Sequence, residues 1–114
     1  FRSDWLNRLG IKASEAALVT VPDNQMQPTL NAGDVVMIDK RHTDVSVSRG
    51  VYACRLGGNL TVARIAYHLK KKTYLVERDN YDVATEFHDQ EKPGAFEVLG
   101  KVVWVSKVWT GDRR

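Results

Sequence analysis

Apolar and polar positions alternate along most of this chain, and that alternation predicts strands. The run DVVMID (34–39) reads as a compact strand. Two β-rich runs, VYACRL and NLTVARIAY, flank Gly57-Gly58. They predict a tight hairpin, because paired glycines supply the positive φ values of a two-residue turn. TYLVE (73–77) predicts a further strand, reached across HLKKK (68–72). A first strand is expected at residues 18–21, after a single turn at residues 14–17. RHTDVSVSRG (41–50) and RDNYDVATEFHDQEKPGA (78–95) read as polar connections, the second with Pro93-Gly94 near its end.

Two segments depart from this pattern. RSDWLNRLG (2–10) predicts a short helix with Ser3 as N-cap, Asp4 in the first turn and Gly10 as the stop. Trp5 and Leu9 are four apart and share a face. So short a helix does not stand alone and must dock on the body or on a partner. The last segment, FEVLGKVVWVSKVW (96–109), is apolar on both parities: Phe96, Val98, Val102, Trp104 and Val108 on one, Leu99, Val103, Val105 and Trp109 on the other. Gly100 allows a bend or bulge. Such a strand is either buried within one chain or shared between subunits, and its pattern leaves both open.

Composition narrows the class. With 114 residues, 43% apolar and 27% charged, the chain is one ordinary globular domain. No apolar run approaches a membrane span and no signal peptide is visible. The chain opens with Phe1, which suggests a fragment or processed product. A single cysteine, Cys54, forms no internal disulfide, and a reducing, cytoplasmic compartment is expected. Cys54 lies in a strand-like run and reads as a buried, inert thiol. The net charge of +3 is weak support for nucleic-acid binding.

Candidate chemistry is sparse. His42, His68 and His88 are scattered without metal-ligand spacing, so they read as surface histidines, and no metal or cofactor is expected. HLKKK reads as a solvated basic turn lacking the aromatic interleaving of a nucleic-acid surface. Asp79, Asp82, Glu86, Asp89 and Glu91 read as a solvated acidic loop without a calcium-loop rhythm. Ser14, Ser46, Ser48, Thr29 and Thr61 have hydroxyls, but none has an identifiable base. The stretch VPDNQMQPTLNAGDVVMID (21–39) is built like a presenting loop that runs into a strand, yet its expected tip carries the amides Asn24 and Gln25.

That stretch resembles a known pattern. QMQPTL (25–30) followed by AGDVVMID (32–39) is similar to the G-D-S-M-x-P-T-L loop, Gly-Asp turn and strand of LexA-like self-cleaving repressors. That family includes lambdoid phage repressors, UmuD proteins and, more distantly, type I signal peptidases. GVYACRL (50–56), LTVARI (60–65), RDNYD (78–82) and VLGKVVWV (98–105) resemble its later segments in order, although Tyr81 follows Asn80 directly. The resemblance covers residues 18–105 and implies a mostly β, LexA-like or signal-peptidase-like fold with a short N-terminal helix. It divides the chain into a lead-in helix and linker end (1–17), the peptidase-fold domain (18–109) and a tail (110–114).

The family's chemistry is a Ser–Lys dyad in which a lysine kept neutral by burial takes the serine proton. Two backbone amides near the serine hold the oxyanion. Carried over residue by residue, the serine position is Gln25 and the lysine position is Ala63. A carboxamide is not a nucleophile, alanine is not a base, and Arg64 stays protonated. The family's Gly-Asp before the serine is Asp23-Asn24. The loop scaffold (Met26, Pro28, Thr29, Leu30, Gly33 and Asp34) is kept, as are Gly100 and Trp104; Asp34 is expected to bind backbone amides at the turn.

The resemblance thus implies a catalytically inactive oligomerisation domain of a phage or prophage-type transcriptional repressor. It would form a homodimer or higher homo-oligomer, contact operator DNA through a helix-turn-helix domain before residue 1, and answer to an antirepressor protein. The expected subunit contact is Leu99, Lys101, Val103, Val105, Lys107 and Trp109, with Tyr81 and Trp5 as second choices. The alternatives are a self-cleaving peptidase with a displaced dyad (Ser46 or Ser48 with a lysine of 70–72) and a UmuD-like polymerase accessory subunit.

Overall fold

The computed structural model describes residues 3–45, 49–89 and 96–107, with side chains from residue 6 onward. Among these residues, helix α1 (Ser3–Leu9) leads into a single 3-10 turn at Ala13–Glu15 and then seven strands. These are β1 (Ala16–Thr20), β2 (Val35–Asp39), β3 (Gly50–Leu56), β4 (Asn59–His68), β5 (Thr73–Glu77), β6 (Glu86–Asp89) and β7 (Phe96–Ser106). The fold is mostly β: one sheet in the order β1-β2-β7-β3-β4-β5-β6, every neighbouring pair antiparallel. Among the described residues, no helix is long and apolar enough to cross a membrane.

The hairpin at Gly57-Gly58 forms as expected. Both glycines have positive φ (58° and 87°), and Leu56 pairs with Asn59 across them. The helix includes Ser3 instead of following it, and Gly10, at φ 72°, ends it. The first strand begins at Ala16, two residues earlier than its apolar pattern suggests. The connection at 78–95 contains a strand that its polarity conceals. Glu86 and His88 on β6 alternate with Phe87 and Asp89 in burial, and β6 pairs with β5 as the last strand of the sheet.

Strand β7 lies inside the sheet, with β2 on one edge and β3 on the other. Its two apolar parities follow from that position and from two irregularities. The register shifts at Leu99 against β3 and at Val103 against β2. Leu99, Val102 and Val105 therefore pack on one cluster, Phe96 and Val98 on a second, and Trp104 on a third. Between the irregularities, Gly100 passes so close to β2 that a Cβ there would lie 2.8 Å from the Asp39 carbonyl oxygen.

Both faces of the sheet are covered. Val36, Ile38, Ala53 and Val62 form one cluster with Val21, Met26 and Leu30 of the loop that follows β1. On the other face, Tyr52, Cys54, Ala63 and Ile65 pack with Val45 and Val76, while Leu6 and Ile11 of the helical lead-in pack on Met37. The short helix thus docks on the body, which supplies the apolar cover it lacks alone.

Candidate functional site

The loop at residues 21–34 is shaped by its own backbone before any distant residue touches it. The Val21 amide donates to the Asp34 carbonyl (2.8 Å) and the Gly33 amide to the Val21 carbonyl (3.0 Å), which closes the loop at its neck. Gly33 has φ 92°, a conformation favouring glycine. Asp34 is buried, and its Oδ2 accepts the Asn31 amide at 2.9 Å, as expected for a carboxylate at such a turn. The same oxygen accepts Lys107 Nζ at 3.1 Å, and that ammonium also donates to the Thr29 carbonyl. Met26 and Leu30 are buried anchors joined by an amide-to-carbonyl bond of 2.9 Å. Pro28 is exposed and follows a cis peptide.

The tip is held from both sides. Asn24 Oδ1 accepts the Ala32 amide (2.9 Å) and Asp23 Oδ1 accepts the Gln25 amide (3.1 Å). From the loop after β5, the Asn80 amide donates to the Gln25 carbonyl (3.0 Å), and its Nδ2 donates to the Asn24 carbonyl (3.1 Å). Gln25 is half-buried as a result, and only Asn24 of the two amides is exposed.

A charged pair fastens the loop's far side. Arg64 on β4 donates from Nε and Nη2 to Asp79, and Asp79 Oδ2 also accepts the Thr29 hydroxyl. The Arg64 guanidinium holds the Asp79 carboxyl below the usual carboxylate range, with help from Thr29 and against the effect of burial. Arg64 also borders an open cleft of about 330 Å³ lined by Arg49, Gly50, Ile65, Ala66 and Glu77.

Ala63 is fully buried among Val45, Tyr52, Cys54, Ile65 and Val76. Gln25 and Ala63 share no described hydrogen bond or cluster. Their neighbours Met26 and Val62 meet in the cluster under the loop, and Arg64 makes the polar link. Cys54 lies beside Ala63, and burial pushes its thiol up to about 12, so it is an inert core residue as expected.

Several residues sit differently from their sequence reading. Asp79 and Glu86 are ion-paired, not solvated: Asp79 with Arg64, and Glu86 with Arg78, while His88 Nε2 lies within hydrogen-bond distance of Glu86 at 3.0 Å. The Arg78 side chain is almost fully buried and donates from Nη2 to Thr61 Oγ1 at 3.2 Å. His88 stacks on Phe96 with centroids 5.7 Å apart, so it is no plain surface histidine. No charge pattern separated Asp79 from its acidic neighbours; the only signal was its place in the RDN segment. Of the expected contact residues, Leu99 and Val105 pack partly buried, Val103 is exposed, and Lys107 turns onto the loop. Lys101 and Val103 line a second cleft of about 430 Å³ with Leu9, Ile11, Asp39, Arg41 and His42. Ser46, Ser48, Pro93-Gly94, Trp109, the Trp5 side chain and the tail lie outside the described residues. No group of histidine, cysteine and acidic residues able to hold a metal occurs among the described residues.

The chain matches the family model described as Peptidase S24-like over residues 1–103, and it belongs to that family. No curated protein matches the chain.

Proposed function

We propose that this domain is a non-cleaving member of its family, the C-terminal oligomerisation domain of a phage or prophage-type repressor. The observation that carries the reading is the state of residue 25. Gln25 stands where the resemblance places the serine, and its amide is bonded to the Asp23 carboxylate. An oxyanion needs free donors and no neighbouring negative charge; here the amide is occupied and a carboxylate sits beside it. Ala63, at the lysine position, is walled by apolar side chains and Tyr52 and offers no base. The loop scaffold is nevertheless intact, which fits a domain kept for its shape.

In this reading the domain pairs subunits so that two helix-turn-helix domains, carried before residue 1, reach two operator half-sites together. Linking makes the second contact intramolecular and raises its effective concentration. Of the expected contact residues Leu99, Lys101, Val103, Val105, Lys107 and Trp109, Val103 is exposed and shares a cleft with Lys101, while Leu99 and Val105 pack in the chain's own core and Lys107 bonds to its own loop. Release comes through an antirepressor protein in the cytoplasm, because no self-cleavage is available.

The full-length protein should stay intact at alkaline pH and with RecA filament on single-stranded DNA. A specific cut in its linker overturns the non-cleaving reading. Sedimentation of this domain should show a dimer or higher species, and a clean monomer at high micromolar concentration removes the oligomerisation reading.

A further inference from the structure

The sheet has two outermost strands, and they are built differently. β6 is four residues long and carries Glu86, His88 and Asp89. Charge and shortness are how proteins blunt an edge against pairing. β1 is Ala16-Ala17-Leu18-Val19-Thr20, with no charge, proline or glycine. Leu18 at its centre is 52% exposed.

The ladder shows which groups this edge offers. Val21 donates to Asp34 O and Lys40 donates to Glu15 O, both at 2.8 Å, at the two ends of the β1–β2 pairing. Antiparallel bonding alternates, so odd-numbered residues of β1 bond to β2 and even-numbered ones point outward. The Ala16 amide is already taken by the Ala13 carbonyl. The amides of Leu18 and Thr20 and the carbonyls of Ala16, Leu18 and Thr20 face away from the sheet, and no described residue takes them. β7 offers nothing comparable, since β2 and β3 occupy both of its edges.

We infer that the outer edge of β1 pairs antiparallel with β1 of a second copy, about a two-fold axis at Leu18. This rests on the oligomerisation reading above and places the contact at β1, not at the expected residues 99–109. A two-fold axis needs a self-complementary patch. An uncharged strand with outward-facing groups on its middle residue is one: Leu18 exchanges both bonds with its counterpart, and each Thr20 amide meets the opposite Ala16 carbonyl. The two Leu18 side chains then lie directly across from each other as an apolar cross-strand pair. The lack of charge also leaves no like-charge repulsion between identical strands.

Two variants of this chain test the pairing. Leu18→Lys sets two ammonium groups against each other at a half-exposed position and should turn the sedimenting dimer into monomer. Leu18→Cys should form a disulfide-linked dimer under mild oxidation, because directly opposed residues lie within disulfide reach. Cys54 is buried and does not compete, and Phe87→Cys on the opposite edge is the control, expected to stay uncrosslinked. A dimer that survives Leu18→Lys, or a Phe87→Cys variant that crosslinks as readily as Leu18→Cys, overturns the β1 pairing and leaves the oligomerisation reading standing. A wild-type chain that is monomeric at high micromolar concentration overturns both.

Discussion

Arg64 grips Asp79 with two parallel bonds, Nε to Oδ1 at 2.7 Å and Nη2 to Oδ2 at 3.1 Å, and the same carboxylate accepts the Thr29 hydroxyl. The pair joins β4, the loop after β5 and the loop at residues 21–34. Bidentate charged bonds are among the stronger hydrogen bonds. Asp79→Ala should therefore lower stability by about 1–2 kcal/mol and speed amide exchange in residues 22–32, with β3 and β4 protected as before. Arg64→Lys should recover only part of the effect, since an ammonium cannot make the fork. Unchanged exchange in the loop would show that Asp79 does not fasten it.

Acid should loosen the same contacts. Side-chain bonding from Arg41 lowers Asp39, and that from Arg64 lowers Asp79. Burial opposes charge on Glu86, but His88 and Arg78 outweigh it and bring that carboxyl down too. A carboxyl whose folded pKa lies below its unfolded value adds stability above the unfolded value and loses it as pH falls through the folded one. The denaturation midpoint should be flat through neutral pH and fall below the ordinary carboxylate range. Asp39→Asn combined with Asp79→Asn should flatten that fall while lowering the midpoint at pH 7; an acid slope as steep as wild type would contradict the assignment.

Gly100→Ala should destabilise without touching a charged group. Its Cβ would meet the Asp39 carbonyl oxygen at 2.8 Å and the carbonyl carbon at 3.1 Å, both backbone atoms of the neighbouring strand. No side chain can swing aside to relieve the contact, so β7 and β2 must separate locally. A loss of about 1–3 kcal/mol is expected from such overpacking, read as a lower urea midpoint with an unchanged slope.

Ala63→Lys should place an ammonium in a pocket made by Val45, Tyr52, Cys54, Ile65 and Val76. Burial disfavours the charged form, so the lysine pKa falls in the folded state and the unfolded chain binds the extra proton. Stability should drop by on the order of 3 kcal/mol at pH 7 and recover as pH rises toward 10. Thermal melts of the variant against wild type across that range check both the loss and its sign. A pH-independent loss would mean that the lysine reaches solvent.

Much of the site's frame was legible in the chain itself. Gly57-Gly58 marks the hairpin by local backbone geometry, while Gly33-Asp34, Met26 and Leu30 were legible as loop scaffold through the resemblance, and the structure added that Met26 and Leu30 are its buried anchors. The fastening of the loop was not legible. Asn80 lies 56 residues from Asn24 and Lys107 lies 73 from Asp34, and nothing in a polar residue's neighbourhood announces so distant a partner. β6 was hidden for a related reason: an edge strand with charged side chains has the composition of a loop until a neighbour pairs with it.

The final strand separates the two kinds of information. Its sequence determined that residues 96–106 are extended and apolar on both parities, since side-chain period and burial are local properties of the strand. The tertiary structure alone decided that β7 runs between β2 and β3, that irregularities at Leu99 and Val103 redistribute its side chains among three clusters, and that β1 is left at the margin. Strand order is set by which long-range closures bury the most surface at once, and periodicity carries no record of which neighbour a strand will choose.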